Sequence, residues 1–357
     1  MKKIDIYILK KLLSTFLYVV AILVLIICVI DYTDKNDKFI TYEISSDVIL
    51  QYYLSFAPYF AALLTPITSF IATVLVTAKM ASQTELIAIM SSGVSFRRII
   101  RPFMIGAAMI GVGSFYLNNF VIPDANKFRV QFETEYIKKP TENLDTDIHF
   151  KIGPQEYVYL SRFSTHSETG YTVTLERFID HQLIEKITAD RIVWDTASNK
   201  WTLNNWIKRT LQEDHEIIEQ GRRLDTLLAM TPQDFEAKRF HETTLTLPEL
   251  NAYIALQLSR GADDVDVYRV EKYIRFMQPF TVFILMFIGI VLSARKSRRG
   301  TGFQIAMAFL IAFIFIILFV FAQAIAAAGT MSPLLAIWLP NIFFGTLGLV
   351  LYNTVPR

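Results

Sequence analysis

The sequence predicts a membrane α-helical protein of six transmembrane helices with an all-β domain, sandwich or jelly-roll-like, inserted between the third and the fourth. Three observations predict it. Uncharged apolar stretches cover Leu12–Ile30, Val48–Ala78, Pro102–Pro123, Phe276–Ala294 and Gly300–Pro356. The last is long enough for two crossings at about 20 residues each. The Lys and Arg clusters flank these stretches on one side only: Lys2, Lys3, Lys10 and Lys11, then Lys79, Arg97, Arg98 and Arg101, then Arg295, Lys296, Arg298 and Arg299, then Arg357. Cytoplasmic loops carry such an excess of basic residues, so six spans with both termini inside satisfy the pattern and force the polar middle of the chain outside. In that middle the apolar period changes to two.

Span one is Leu12–Ile30, kept rather than cleaved because no Ala-x-Ala-like site follows it. An external loop is expected over Asp31–Asp47. The second stretch is long for one crossing and holds Pro58 and Pro66, which predicts an interfacial start and a kinked or tilted helix. Lys79–Arg101 is a cytoplasmic connection, and span three ends near Asn118-Asn119 and Pro123. The domains are therefore 1–123, 124–265 and 266–357. Within the middle one, Ile148, Phe150 and Ile152 alternate with polar residues. So do Tyr157 and Tyr159, Tyr171, Val173 and Leu175, Ile192 and Trp194, and Trp201 and Leu203. Asp195–Lys200 reads as a hairpin turn. Thr246-Leu247-Pro248-Glu249 is a capping box opening a helix that Gly261 stops. A second helix starts around Asp263–Asp266 and runs through Arg275 into span four. Span five covers Phe303–Ala324, and a turn at Ala328–Pro333 leads into span six.

Composition excludes several classes. Net charge is +2 over 357 residues, which gives no field for nucleic acid. The one cysteine, Cys28, excludes an intrachain disulfide framework and reads as a packing residue. The sequence has no Gly-x-x-x-x-Gly-Lys-Ser/Thr phosphate loop, and no His-Glu-x-x-His, Cys-x-x-Cys or Gly-x-Ser-x-Gly. The expectation is a chain that is not an enzyme, with no metal and no cofactor of its own. The spans hold almost no ionisable side chains, which disfavours an ion-coupled carrier.

Ser82–Arg98 predicts a short amphipathic cytoplasmic helix at about 82–93. Thr84 or Ser82 would cap it, Leu86, Ile89 and Met90 form its apolar stripe, Gly93 supplies the C-terminal turn, and Arg97 follows. Two readings stand: a helix resting on lipid headgroups, or a knob docking into a partner protein with Glu85 as its charged contact.

Thr84–Arg98 resembles the coupling-helix signature of the LptF/LptG permeases. Val121–Asn126 is similar to that family's exit from span three. Glu271–Pro279, followed by Arg298-Arg299-Gly300, resembles its start of span four and following loop, and Trp338-Leu339-Pro340-Asn341 resembles its last-span motif. Asp5–Ile8, with Asp31 after span one, is more similar to the LptG branch than to LptF. The resemblance implies a lipopolysaccharide-transporting ABC permease in a Gram-negative inner membrane, with a periplasmic β-jelly-roll. It implies as partners an LptF-like permease, a dimeric LptB-like ATPase that holds the ATP, an LptC-like single-span protein and lipopolysaccharide. It assigns Glu85, with Leu86, Met90, Gly93 and Arg97, to ATPase coupling. It also implies that Lys35, Lys38, Lys127, Arg129 and Arg275 contact lipopolysaccharide phosphates, a chemistry that charge-assisted hydrogen bonds suit. Snorkelling at the interface is the plain alternative for each cation. Phe150, Tyr157, Tyr159, Trp194 and Trp201 are candidates to line the β domain. A mechanotransmitting or signalling protein, with an external β sensor and no cargo, is the rival reading.

Overall fold

The computed structural model describes residues 3–137, 146–153, 155–164, 167–179, 182–196, 198–211, 215–232, 241–260, 265–294 and 301–353. Six of its helices are long and apolar enough to cross a membrane, and a six-stranded antiparallel sheet lies between the third and fourth of them in sequence. The predicted fold class holds. The chain forms two compact units, one through Phe132 with 242–250 and the residues from Asp266, the other Glu133–His241 with Asn251–Val265.

In the helical unit α1 spans Lys3–Thr41 and α2 spans Ser46–Ser82. The expected loop at 31–47 is therefore mostly helix. Residues 31–41 contain neither Gly nor Pro, and Lys35 pairs with Asp31 one turn earlier at 2.7 Å, so charge alone does not end the helix. A short helix, α3 (Glu85–Ser91), joins α2 to α4 (Phe96–Tyr116). The third span also runs past its expected end. A π-helical turn, Leu117–Val121, precedes α5 (Ile122–Phe132), and a second one covers Glu133–Ile137. Pro123 has no N–H for the carbonyl of Asn119 and would clash with it in a regular helix; the wider turn absorbs both effects. The later helices are α6 (Leu247–Arg260), α7 (Val265–Ser293), α8 (Thr301–Ala327) and α9 (Pro333–Asn353). Gly261 and the 295–299 basic loop lie outside the described residues.

Among the described residues, several apolar clusters hold this unit together, and α7 contributes to each of the two largest. Ile8, Leu12, Met80, Leu86, Phe103 and Met286 bury one, at the end where α1 starts and α2 stops. Phe70, Leu285, Ile288, Ala312, Phe315 and Phe344 bury the other. Pro66, inside α2, leaves the carbonyl of Ala62 without its helical donor. Gln278 of α7 supplies one, its Nε2 lying 2.6 Å from that oxygen, while Asn118 Nδ2 donates to Gln278 Oε1 at 2.6 Å. In lipid no water replaces such a bond. Gln278→Leu should therefore lower the melting temperature of the detergent-purified protein by an amount equivalent to ~1–2 kcal/mol. A stability equal to the parent's would show that Ala62 finds another donor.

The second unit carries β1 (Thr146–Gly153), β2 (Glu156–Ser164), β3 (Thr169–Ile179), β4 (Gln182–Asp195), β5 (Lys200–Leu211) and β6 (Glu216–Thr226), paired strictly in chain order. The Asp195–Lys200 hairpin forms as expected. One face buries Val158, Leu160, Val173, Leu175, Ala189, Ile192, Trp201 and Leu203. The inward phase slips by one residue at the same level on neighbouring strands. Inward residues run Leu160 then Phe163 on β2, Val173 then Gly170 on β3, Ala189 then Ile192 on β4 and Trp206 then Leu203 on β5. Each pair sits opposite the next in register: Leu160–Val173–Ala189–Trp206 and Phe163–Gly170–Ile192–Leu203. Thr172 and Asn205, at φ 50° and 52°, sit in the slip. The result is a crease that lets one sheet bury a face against itself. A Cβ on Gly170 would lie 2.7 Å from Ile192 and 3.0 Å from Leu160, so the crease closes only over a glycine.

Among the proposed lining residues, Trp201 is fully buried and Trp194 packs on the same core. Tyr157 and Tyr159 alternate with the inward Val158 and Leu160 and so face the other way, a correction to their expected role. The side chain of Phe150 lies outside the described residues.

Candidate functional site

The predicted coupling segment is a seven-residue helix on a short connection. Neither expected cap forms. Thr84 lies at φ 61° and its hydroxyl donates to its neighbour's carbonyl, Gln83 O, while Ser82 donates to Lys79 O. Gly93 provides the expected turn at φ +85°, its N–H bonding Met90 O. The stripe is divided. Leu86 is buried and Ile89 packs beside it, whereas Ile87 and Met90 are exposed. Two apolar side chains thus project from α3, next to Glu85. Arg97 is exposed and its Nε donates to Tyr352 at 3.0 Å. Glu85 meets two residues that the sequence reading gave no part in this segment: Tyr7 Oη donates to its carboxylate at 3.2 Å, and Lys11 Nζ lies 3.3 Å away.

The predicted phosphate-contacting cations lie near the opposite ends of the helices. Lys35 and Lys38 share a face of α1. Lys35 is bonded to Asp31 and Tyr52 and lies 4.8 Å from the Tyr52 ring centroid. Lys38 is exposed on the last turn of α1. Lys127 is exposed and pairs with Asp124 at 2.8 Å.

Arg129 and Arg275 are buried instead. The Arg129 guanidinium lies 4.1 Å over Tyr59, and its Nε donates to Asn126, whose own Nδ2 donates to Thr243 O at 3.0 Å. Arg275 donates to Glu271 Oε1 at 2.7 Å, to Leu245 O at 2.8 Å and to Glu242 O at 3.0 Å. These side chains tie the 242–245 segment to α5 and α7. The capping box that follows is half-formed. Glu249 accepts the Thr246 N–H at 2.8 Å, but the Thr246 hydroxyl donates to that same carboxylate.

Glu242 was invisible to the sequence reading, because its only signal is proximity to distant residues. Burial pushes its carboxyl up to about 7, with the Glu271 charge adding and Arg275 and Arg129 opposing. The native state therefore holds a proton that an unfolded glutamate loses near 4.5. That stabilisation is complete below pH 4.5 and is lost as pH rises through about 7. Glu242→Gln should match the parent's melting temperature near pH 5 and exceed it at pH 8, by the equivalent of ~2–3 kcal/mol at most. Parallel curves over that range would rule out the shifted carboxyl.

Comparison with known proteins finds a match to the family "Lipopolysaccharide export system permease LptF/LptG" over residues 6–354. The chain is similar to lipopolysaccharide export system permease protein LptG of Haemophilus influenzae, 22% identical over 229 residues. That match covers 63% of this chain and 63% of the relative's length.

Proposed function

The chain belongs to the lipopolysaccharide export system permease family LptF/LptG, and from that premise we propose that it is the transmembrane subunit of an ABC transporter. In this reading it extracts lipopolysaccharide from the inner membrane of a Gram-negative cell and passes it to its own β domain, driven by ATP hydrolysis on a separate subunit. One observation carries the reading: the family match takes in both helical halves, α3 and the β insert. The one-sided basic clusters support termini and α3 in the cytoplasm and the β domain in the periplasm.

The partners proposed are an LptF-like permease, an LptB-like ATPase dimer docking on α3 through Glu85, Ile87 and Met90, and an LptC-like single-span protein. No residue of the most apolar stretch of α1 is buried, and few of α8 are. Such faces suit a lateral gate in which α1 of this chain meets the fifth span of the partner permease. Lys35, Lys38 and Lys127 are the proposed contacts for lipid phosphates, while Arg129 and Arg275, both buried and Arg275 paired with Glu271, hold the surrounding backbone in place. Acyl burial contributes ~0.8 kcal/mol per CH₂ against water but little against a bilayer, so moving the lipid upward needs the ATPase. Native mass spectrometry of the complex purified from its own membrane should find a second permease, two ATPase copies and bound lipopolysaccharide. An ATPase without any lipid would contradict export and favour mechanotransmission.

A further inference from the structure

We propose that Tyr7 and Lys11 form, with Glu85, a releasable latch between α1 and α3, through which docking of the ATPase frees α1; the proposal rests on the coupling role given above to Glu85. The two residues lie one turn apart on one face of α1. Together they take both oxygens of one carboxylate. Tyr7 Oη lies 3.3 and 3.2 Å from Oε1 and Oε2, and Lys11 Nζ lies 3.3 Å from each. Lys11 also donates to Tyr7 Oη at 3.0 Å, so the three groups close into a ring of contacts.

A second ion pair holds α1 a little earlier in the chain, and the contrast between the two sets their roles. Asp5 accepts from Arg98 of α4 at 2.6 Å; its own side chain is 8% exposed and that of Arg98 28%. Ile8, three residues on, and Leu12, the residue after Lys11, are also buried. That shorter bond, on a buried carboxylate, is the pivot. The Lys11–Glu85 bond is longer, at 3.3 Å, and its partners are 20% and 29% exposed. Partly exposed pairs at such distances hold more weakly than short ones. Beyond Leu12, α1 has no buried residue until Phe39. It is thus a long helix fixed at a pivot, tied nearly two turns further on by a weaker contact beside the buried Leu12, and loosely covered along the stretch proposed to line the gate. Glu85 keeps an accessible edge beside the exposed Ile87 and Met90. A partner cation arriving there draws the carboxylate from Lys11, and the latch opens as the ATPase docks. Hydrolysis is thereby tied to movement of α1 rather than of α3 alone.

The test uses the full complex in liposomes containing lipopolysaccharide, measuring ATP hydrolysed and lipid released. Tyr7→Phe/Lys11→Met should keep the ATPase bound and hydrolysing. Lipid released per ATP should fall about five- to tenfold, the low end of ordinary coupling between sites. Lys11→Arg, which keeps the charge, should restore the ratio. A merely structural role would instead lower hydrolysis, assembly and melting temperature together, and Lys11→Arg would restore all three. An unchanged ratio in the double variant overturns the latch. Glu85→Ala separates the two claims. If it weakens coupling while the double variant does not, the coupling role stands and the latch falls; if neither variant changes anything, the coupling role itself fails and the latch with it.

Discussion

Trp201→Ala should abolish the protease-resistant core of the β domain while the helical unit stays folded in detergent. Trp201 is fully buried where the creased sheet meets itself. Its Nε1 donates to Met230 O at 2.9 Å, and its ring meets Trp194 edge-on at 5.0 Å and Phe163 at 6.3 Å. Truncating a buried aromatic costs ~3–5 kcal/mol through lost transfer energy and the cavity left behind. That is a large share of the ~5–15 kcal/mol that holds a typical domain. Trp201→Phe keeps most of the contact area and forfeits the hydrogen bond, about 1 kcal/mol, so it should digest far more slowly than the alanine variant. Limited proteolysis, followed by mass analysis of the fragments, reads both. Digestion of Trp201→Ala at the parent's rate would mean that the core does not depend on this ring.

Arg275→Met should be nearly as damaging, for the opposite physical reason. The guanidinium is buried, and its three bonds satisfy a carboxylate and two backbone carbonyls. Methionine fills much of the volume and abandons all three acceptors, leaving Glu271 without its cation. Breaking one half of a buried pair costs ~3–5 kcal/mol. Lysine keeps the charge but lacks the fork that spans three acceptors, so Arg275→Lys should recover only part of the loss. Thermal unfolding in detergent at pH 7 should show a large drop for Met, a smaller one for Lys and none for Lys127→Ala, whose pair with Asp124 is solvent-exposed. Equal melting temperatures for Arg275→Met and Lys127→Ala would refute the strut.

The span count, the place of the β insert, the Asp195–Lys200 hairpin and the short helix after Lys79 were all legible in the sequence. Each rests on a local signal: an uncharged run, a change of period or a turn dipeptide. Errors arose where a local signal was over-read. Charges such as Lys35 and Lys38 suggested a loop, yet a stretch of modest helix formers without Gly or Pro stays helical to Thr41. Pro123 suggested an end, yet a π turn absorbs it. Thr84 has the right chemistry for a cap but the wrong backbone, at φ 61°. The crease left a readable trace, in that apolar spacing changes from two to three at Leu160–Phe163 and Leu203–Trp206. A search for strict alternation discards that step. The cations were legible as cations. Whether each is exposed, like Lys127, or buried against a distant carbonyl, like Arg275, depends on long-range contacts that no short window contains. The partners of Tyr7, Lys11, Glu242 and Gln278 were not legible for the same reason.

The central claim, that lipid is driven from the membrane into the β domain, is tested most directly by photo-crosslinking within the reconstituted complex. A photoreactive residue replaces Leu224, which packs on the inner face of the β domain, and a second replaces Tyr157 on the outer face as a control. In liposomes containing lipopolysaccharide, the Leu224 probe should capture the lipid only when ATP is hydrolysed, and the Tyr157 probe should capture none. Equal capture at Leu224 with and without ATP, or no capture at all, would contradict an ATP-driven passage through this domain.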